Sequence, residues 1–111
     1  MDKEMMKGSI DILILSVVNR SDSYGYEIVK ILKQQSDNVY DMSEGTLYPA
    51  LKRLENKDFI EAYWGESNEG GRRKYYRITE NGKKELTRKV SQWKEINILV
   101  SKVTEGWYEL Y

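Results

Sequence analysis

The chain has 111 residues, with 18 Lys and Arg against 18 Asp and Glu, a single Pro, and neither His nor Cys. That length suits one domain, or one small domain with an extension. Without His and Cys there is no disulfide framework, no Ser/His or Cys/His nucleophile pair and little to hold a transition metal, so an enzyme and a metal cofactor are not expected. The zero net charge argues on its face against a nucleic-acid partner, and only the placement of the charges can test that.

Ile10, Leu13, Ile14, Val17 and Val18 recur at helical spacing and predict a nearly buried helix over residues 8–19. Asp11 interrupts this apolar run, which is too short to span a bilayer. No leader pattern precedes it, so a cytoplasmic location without a membrane partner is the expectation. Ser21-Asp22-Ser23 suits a turn and helix cap, and a second helix is predicted from Tyr24 to about Gln35, ended by Asp37-Asn38. Ser43 suits the cap of a third helix carrying Leu47, Leu51 and Leu54 on one face. Pro49 lies past its first turn and should kink it or delay its start.

The pattern then changes. Phe59 to Trp64 and Arg73 to Ile78 read as strands around a loop from Gly65 to Gly71, a β-hairpin. A long last helix follows Thr79-Glu80-Asn81-Gly82 and carries Leu86, Val90, Trp93, Ile96, Leu99 or Val100, Val103 and Trp107 on one apolar stripe. A three-helix core cannot cover all of that stripe, which predicts a homodimer built on it, with Met5, Met6 and Ile10 completing the interface. Folding back onto its own domain is the alternative, and it leaves Trp93 and Trp107 hard to cover.

The charges are segregated. Between Arg72 and Lys89 eight basic residues face two acids, a net +6, while five acids accompany Lys57 alone between Glu55 and Glu69. Such separation creates a local field inside a neutral protein. On the third helix Tyr48, Lys52, Arg53 and Asn56 fall outside the leucine face, where they can donate to phosphates and base edges. Ordinary solvated charge is the plain alternative for Lys52 and Arg53. At the hairpin, Gly70-Gly71 precedes Arg72, Arg73 and Lys74, which permits close backbone approach to a phosphate and forked contacts to its oxygens. The alternative there is a turn whose cations discourage strand-edge pairing.

Gly45-Thr46-Leu47-Tyr48-Pro49-Ala50-Leu51-Lys52-Arg53-Leu54-Glu55, followed by the stretch from Gly70-Gly71-Arg72-Arg73-Lys74 to Thr79-Glu80-Asn81-Gly82, resembles the PadR family of winged helix-turn-helix transcriptional regulators, usually bacterial repressors. Tyr24-Gly25-Tyr26-Glu27-Ile28 is similar to the start of that family's second helix, and the likeness covers most of residues 8–90. The resemblance implies a mainly α (α+β) fold: a winged-helix DNA-binding domain over residues 1–79 and a dimerisation helix over 80–111, on which residues 1–10 pack. It implies that Ser43, Thr46, Tyr48 and Lys52 meet double-stranded operator DNA from the recognition helix, and Gly71, Arg72, Arg73 and Lys74 from the wing. Pro49 belongs to the family's motif. Asp58 stands where the family commonly has Gly, and Asp tolerates the left-handed conformation well enough to keep that turn.

Trp64-Gly65-Glu66-Ser67 and Ser91-Gln92-Trp93 are similar to short, multidrug-binding members of the family, in which a tryptophan of the last helix stacks on planar drugs at the dimer interface. That resemblance implies a planar hydrophobic ligand at Trp93, with Met5, Ile12 and Asn97 nearby. Dimer core is the competing role for Trp93, while Asn97 on the same stripe suits a pore or a register-setting contact. Two rivals remain: a winged-helix protein-interaction module without DNA binding, and, more distantly, an enzyme using Glu61, Glu66 and Glu69.

Overall fold

The computed structural model describes residues 1–105, so Trp107 lies outside the described residues. A short helix α1 (Lys3–Met6) and a 3₁₀ turn (Lys7–Ser9) lead into α2 (Ile10–Arg20). Then come β1 (Ser23–Tyr24), α3 (Gly25–Gln35), α4 (Glu44–Asn56), β2 (Ile60–Glu66), β3 (Arg72–Ile78) and the long α5 (Glu80–Val103). The sheet is antiparallel, in the order β1-β3-β2. This is a mainly helical α+β fold, a winged helix-turn-helix domain with a long C-terminal helix.

The apolar stripes converge on one core. Ile14, Leu15 and Val18 of α2, Ile28 and Leu32 of α3, Leu47, Leu51 and Leu54 of α4, Ile60 of β2 and Tyr76 of β3 are all buried in it. Asp37 and Asn38 stop α3 as expected, both with positive φ (53° and 67°), a conformation Asn and Asp tolerate. Asp58 likewise takes φ 62° and keeps the turn between α4 and β2.

Three local expectations need correction. Tyr24 is not the first residue of a helix: its backbone pairs with Tyr75 in the sheet, and it serves as the N-cap of α3 without a side-chain bond. The Ser21–Ser23 cluster therefore does not cap α3: Ser21 closes α2 instead, its amide donating to the Val17 carbonyl, and Ser23 Oγ donates to the Ser21 carbonyl. Pro49 neither delays α4 nor ends it, because Ser43 caps the helix and the buried leucines hold its far side. The exposed Pro49 sits on the opposite face, where the carbonyl left without its amide can be met by water. Finally, the hairpin strands extend beyond the expected limits, to Glu66 and from Arg72, so the loop shrinks to residues 67–71.

The joint between α5 and the wing is tightly made. Thr79 caps α5 through Gly82 N–H at 2.9 Å, while its own amide donates to the Phe59 carbonyl and its hydroxyl to the Asp58 carbonyl. Asn81 Nδ2 donates to the Asp58 carboxylate at 3.1 Å. A Cβ on the buried Gly82 would lie 2.0 Å from the Phe59 carbonyl oxygen, so only glycine allows this approach. One turn further on, Leu86 packs against the domain core and α2 lies against α5.

Candidate nucleic-acid interface

Two elements build the basic side, α4 and the β2–β3 hairpin. Ser43 begins α4: its hydroxyl oxygen accepts from Thr46 N–H at 3.2 Å and donates to Thr46 Oγ1 at 3.2 Å. Ser43 and Thr46 are therefore locked together at the helix start. Tyr48 and Lys52 point outward from α4, opposite the buried leucines. Arg53, also exposed, is held by the Asp11 carboxylate of α2, which distinguishes it from Lys52.

The hairpin tip is a tight turn in which Gly70 and Gly71 both take positive φ (92° and 81°). Ser67 organises it: its amide donates to the Gly71 carbonyl, its carbonyl accepts from Gly70 N–H, and its hydroxyl accepts from Glu69 N–H. The tip thus delivers Arg72, Arg73 and Lys74, all exposed, directly into strand β3. Among the described residues none of these three, nor Lys52, forms an ion pair with a carboxylate. Each wing cation lies instead over an aromatic ring: Arg72 over Trp64 at 5.3 Å, Arg73 over Tyr24 at 5.7 Å and Lys74 over Tyr76 at 5.7 Å.

A cleft of about 340 Å³ joins the two elements, lined by Tyr24, Gly25, Tyr26, Tyr48, Arg73, Lys74 and Tyr76. From sequence, Tyr24-Gly25-Tyr26 read only as a helix start; pairing of β1 with β3 brings it to this wall. Tyr48 lies across Gly25, where a Cβ would meet the phenol oxygen at 2.9 Å. Burial pushes the Tyr76 phenol above its ordinary value. The neighbouring Tyr63 is raised by its hydrogen bond to Asp22. Both therefore stay protonated at neutral pH. The surface offers cations, phenols and a closely approachable backbone, a set of donors suited to phosphate and base edges.

The residues expected to bind a ligand or a second chain sit elsewhere. Trp93, Ile96, Val100 and Val103 form an exposed stripe along α5, with Trp93 51% exposed. Val90 and Asn97 are half-buried beside it, and Ile12 is half-buried on α2. Leu86, expected on that stripe, packs against the core of its own domain. Met5 of α1 is 81% exposed, while other residues of the N-terminal segment line, with residues 39–43 and Thr46, a second cleft of about 470 Å³. Among the described residues no cluster of acids could hold a metal ion, and no helix is long and apolar enough to cross a membrane.

Comparison with known proteins identifies the architecture. Residues 14–88 match the model of the transcriptional regulator PadR-like family. A transcriptional regulator from Clostridium thermocellum superposes with a TM-score of 0.82 at 39% identity, over 90% of this chain and 97% of that one. A PadR-like regulator from Bacillus cereus gives 0.82 at 31% identity, over 94% and 99%. The transcriptional regulator YqjI of Escherichia coli is 32% identical over 90 residues, 81% of this chain but 38% of that larger protein. Members of this family are transcriptional regulators, not enzymes. The chain belongs to the PadR-like family of transcriptional regulators.

Proposed function

We propose that the protein is a cytoplasmic, homodimeric repressor that occupies a pseudo-palindromic operator and leaves it when a planar hydrophobic molecule binds at the dimer interface. Residues 1–79 form the DNA-binding unit; residues 80–111, with residues 1–10 alongside, form the dimerisation unit. Ser43, Thr46, Tyr48 and Lys52 act from the recognition helix α4, and Gly71, Arg72, Arg73 and Lys74 from the wing. One observation carries this reading: Lys52, Arg72, Arg73 and Lys74 are cations without a carboxylate partner among the described residues, on the two elements that border one cleft. Cations left free of carboxylates are available to phosphate oxygens.

Two recognition helices related by a two-fold axis read half-sites about one helical turn, roughly 34 Å, apart. The test is DNA binding to the protein's own promoter across a salt series, with Arg72→Ala/Arg73→Ala alongside. The double variant should bind more weakly, with a salt slope shallower by about 0.9 for each phosphate that is no longer neutralised. Weak, salt-insensitive binding by the unaltered protein would favour the interaction module.

The half-exposed indole of Trp93, on one stripe with Ile96 and Val100, supports the ligand. A flat aromatic platform at a dimer seam stacks readily on planar molecules. Quenching of tryptophan emission by a planar cationic dye should disappear in Trp93→Ala. If that variant quenches like the parent, the dye stacks elsewhere.

A further inference from the structure

The cations of β3 and the rings around them form a regular arrangement. Trp64 stands opposite Lys74 in the β2–β3 register, which makes Arg72 its diagonal neighbour on the same face. Tyr24 and Tyr63 both stand opposite Tyr75, so Arg73 and Arg77 are their diagonal neighbours on the other face. Arg77 lies over Tyr63 at 4.9 Å but is also bound to Glu61 at 3.0 Å, and so is neutralised. Arg72 and Arg73 have rings and no carboxylate among the described residues, although Glu66 stands directly across from Arg72. Glu69, at the tip of the wing, is drawn toward Lys30 of α3 at 3.9 Å.

Trp64 calls for a reason to be where it is. Its side chain is 61% exposed on a narrow hairpin, outside the core, and it belongs to none of the residues proposed above to meet DNA. We propose that Trp64 is a positioning residue of the DNA interface: its indole seats the Arg72 guanidinium before DNA arrives, in the pose from which that group forks a backbone phosphate. A ring attracts the cation without cancelling its charge, whereas a carboxylate would compete with the phosphate for the same hydrogens. The seat also removes part of the rotamer freedom that a long side chain otherwise loses on binding. Tyr24 and Tyr76 give Arg73 and Lys74 the same support, but both are buried in the fold, which leaves Trp64 and Arg72 as the pair open to a clean test.

The inference rests on the wing's role in DNA binding, and its experiment separates the two. Affinity of the full chain for promoter DNA is measured over a salt series for the parent, Trp64→Ala, Trp64→Phe, Arg72→Ala and Trp64→Ala/Arg72→Ala. Trp64→Ala should weaken binding about two- to fivefold and leave the salt slope as it was, because Arg72 still reaches its phosphate. Trp64→Phe should recover part of the loss. Arg72→Ala should cost affinity and slope together, and adding Trp64→Ala to it should cost nothing more. Equal affinity of Trp64→Ala and the parent, or additive losses in the double variant, overturns the seat while leaving the DNA-binding reading standing. If the parent itself shows no salt-dependent affinity for DNA, both fall. Thermal melting checks that the exposed indole was not holding the fold, and Trp64→Phe keeps the test valid if Trp64→Ala melts early.

Discussion

Two glycines show how the neighbour decides the effect of a single atom. A Cβ on Gly82 would collide with a backbone carbonyl at 2.0 Å, and neither strand β2 nor α5 can withdraw without losing the bonds of their joint. Gly82→Ala should therefore destabilise the fold by about 1–3 kcal/mol, read as a lower midpoint in urea. A Cβ on Gly25 would meet only the far end of the Tyr48 side chain, which can swing away. Gly25→Ala should melt close to the parent but bind promoter DNA less tightly, because the phenol on the recognition helix has lost its seat. Equal losses of stability in both variants would refute this distinction. Glu85 gives a third residue-scale expectation. Its carboxyl is held below the usual range, first by the hydrogen bond from Arg88 and then by the neighbouring cations, against the opposing effect of burial. A depressed folded-state value adds stability above the unfolded carboxylate range, and that stability is lost as pH falls through the depressed value. Arg88→Ala should thus lose stability near neutrality and show a flatter decline toward acid pH in melting experiments. The cap at Ser43 could be read from residue type alone, and the left-handed turn at Asp58 from the family's glycine at that place together with the tolerance of Asp for it. The Tyr48–Gly25 contact could not, because it joins residues far apart in sequence through a tertiary fit.

At the scale of elements, α4 is the clearest case of local rules in tension. A serine cap and four buried residues, Leu47, Ala50, Leu51 and Leu54, work for the helix, while Pro49 removes one of its hydrogen bonds. Ser43→Ala should cost about 1 kcal/mol and Pro49→Ala should return up to about 3 kcal/mol; chemical denaturation measures both. A Pro49→Ala variant that is less stable than the parent would mean that the ring's packing outweighs the bond it denies. The leucine period made α4 legible, and the β-branched and aromatic run made the hairpin legible. Strand β1 was invisible for a physical reason: two residues hold no period, and Ser23-Tyr24 is a strand only because β3 offers it a partner. The same pairing turned a supposed helix start into one wall of the cleft, so the site was legible in its cations and not in the rings beneath them.

For the whole molecule, the balance of charge and the surface of α5 matter most. The net charge of zero combines a +6 stretch running from the wing into α5 with an acidic stretch just before it, and binding responds to that separation rather than to the sum. Trp93, Ile96, Val100 and Val103 make a contiguous exposed apolar stripe on one helix, the kind of surface that marks an interaction site. Ile96→Glu/Val100→Glu should give a monomer in sedimentation, fold its N-terminal domain, and bind promoter DNA far more weakly because two half-sites are no longer held together. A dimer that survives these charges would move the interface elsewhere. That α5 leaves an apolar stripe uncovered by its own domain was legible from the length of the stripe set against the size of the core. Leu86 packs in part against the core of its own domain: periodicity reports a face and not the point along it where the chain's own core ends.

The clamped start of α5 has a mechanical consequence. A helix of 24 residues is about 36 Å long, and its first turn is bonded to Asp58 and Phe59, where the wing begins. With no slack at that root, α5 acts as a lever arm. A swing of about 5° moves one end by about 3 Å relative to the other, given a length set by 1.5 Å per residue. In the proposed dimer, a molecule that wedges two such arms apart near Trp93 need not touch the wings to change the distance between them.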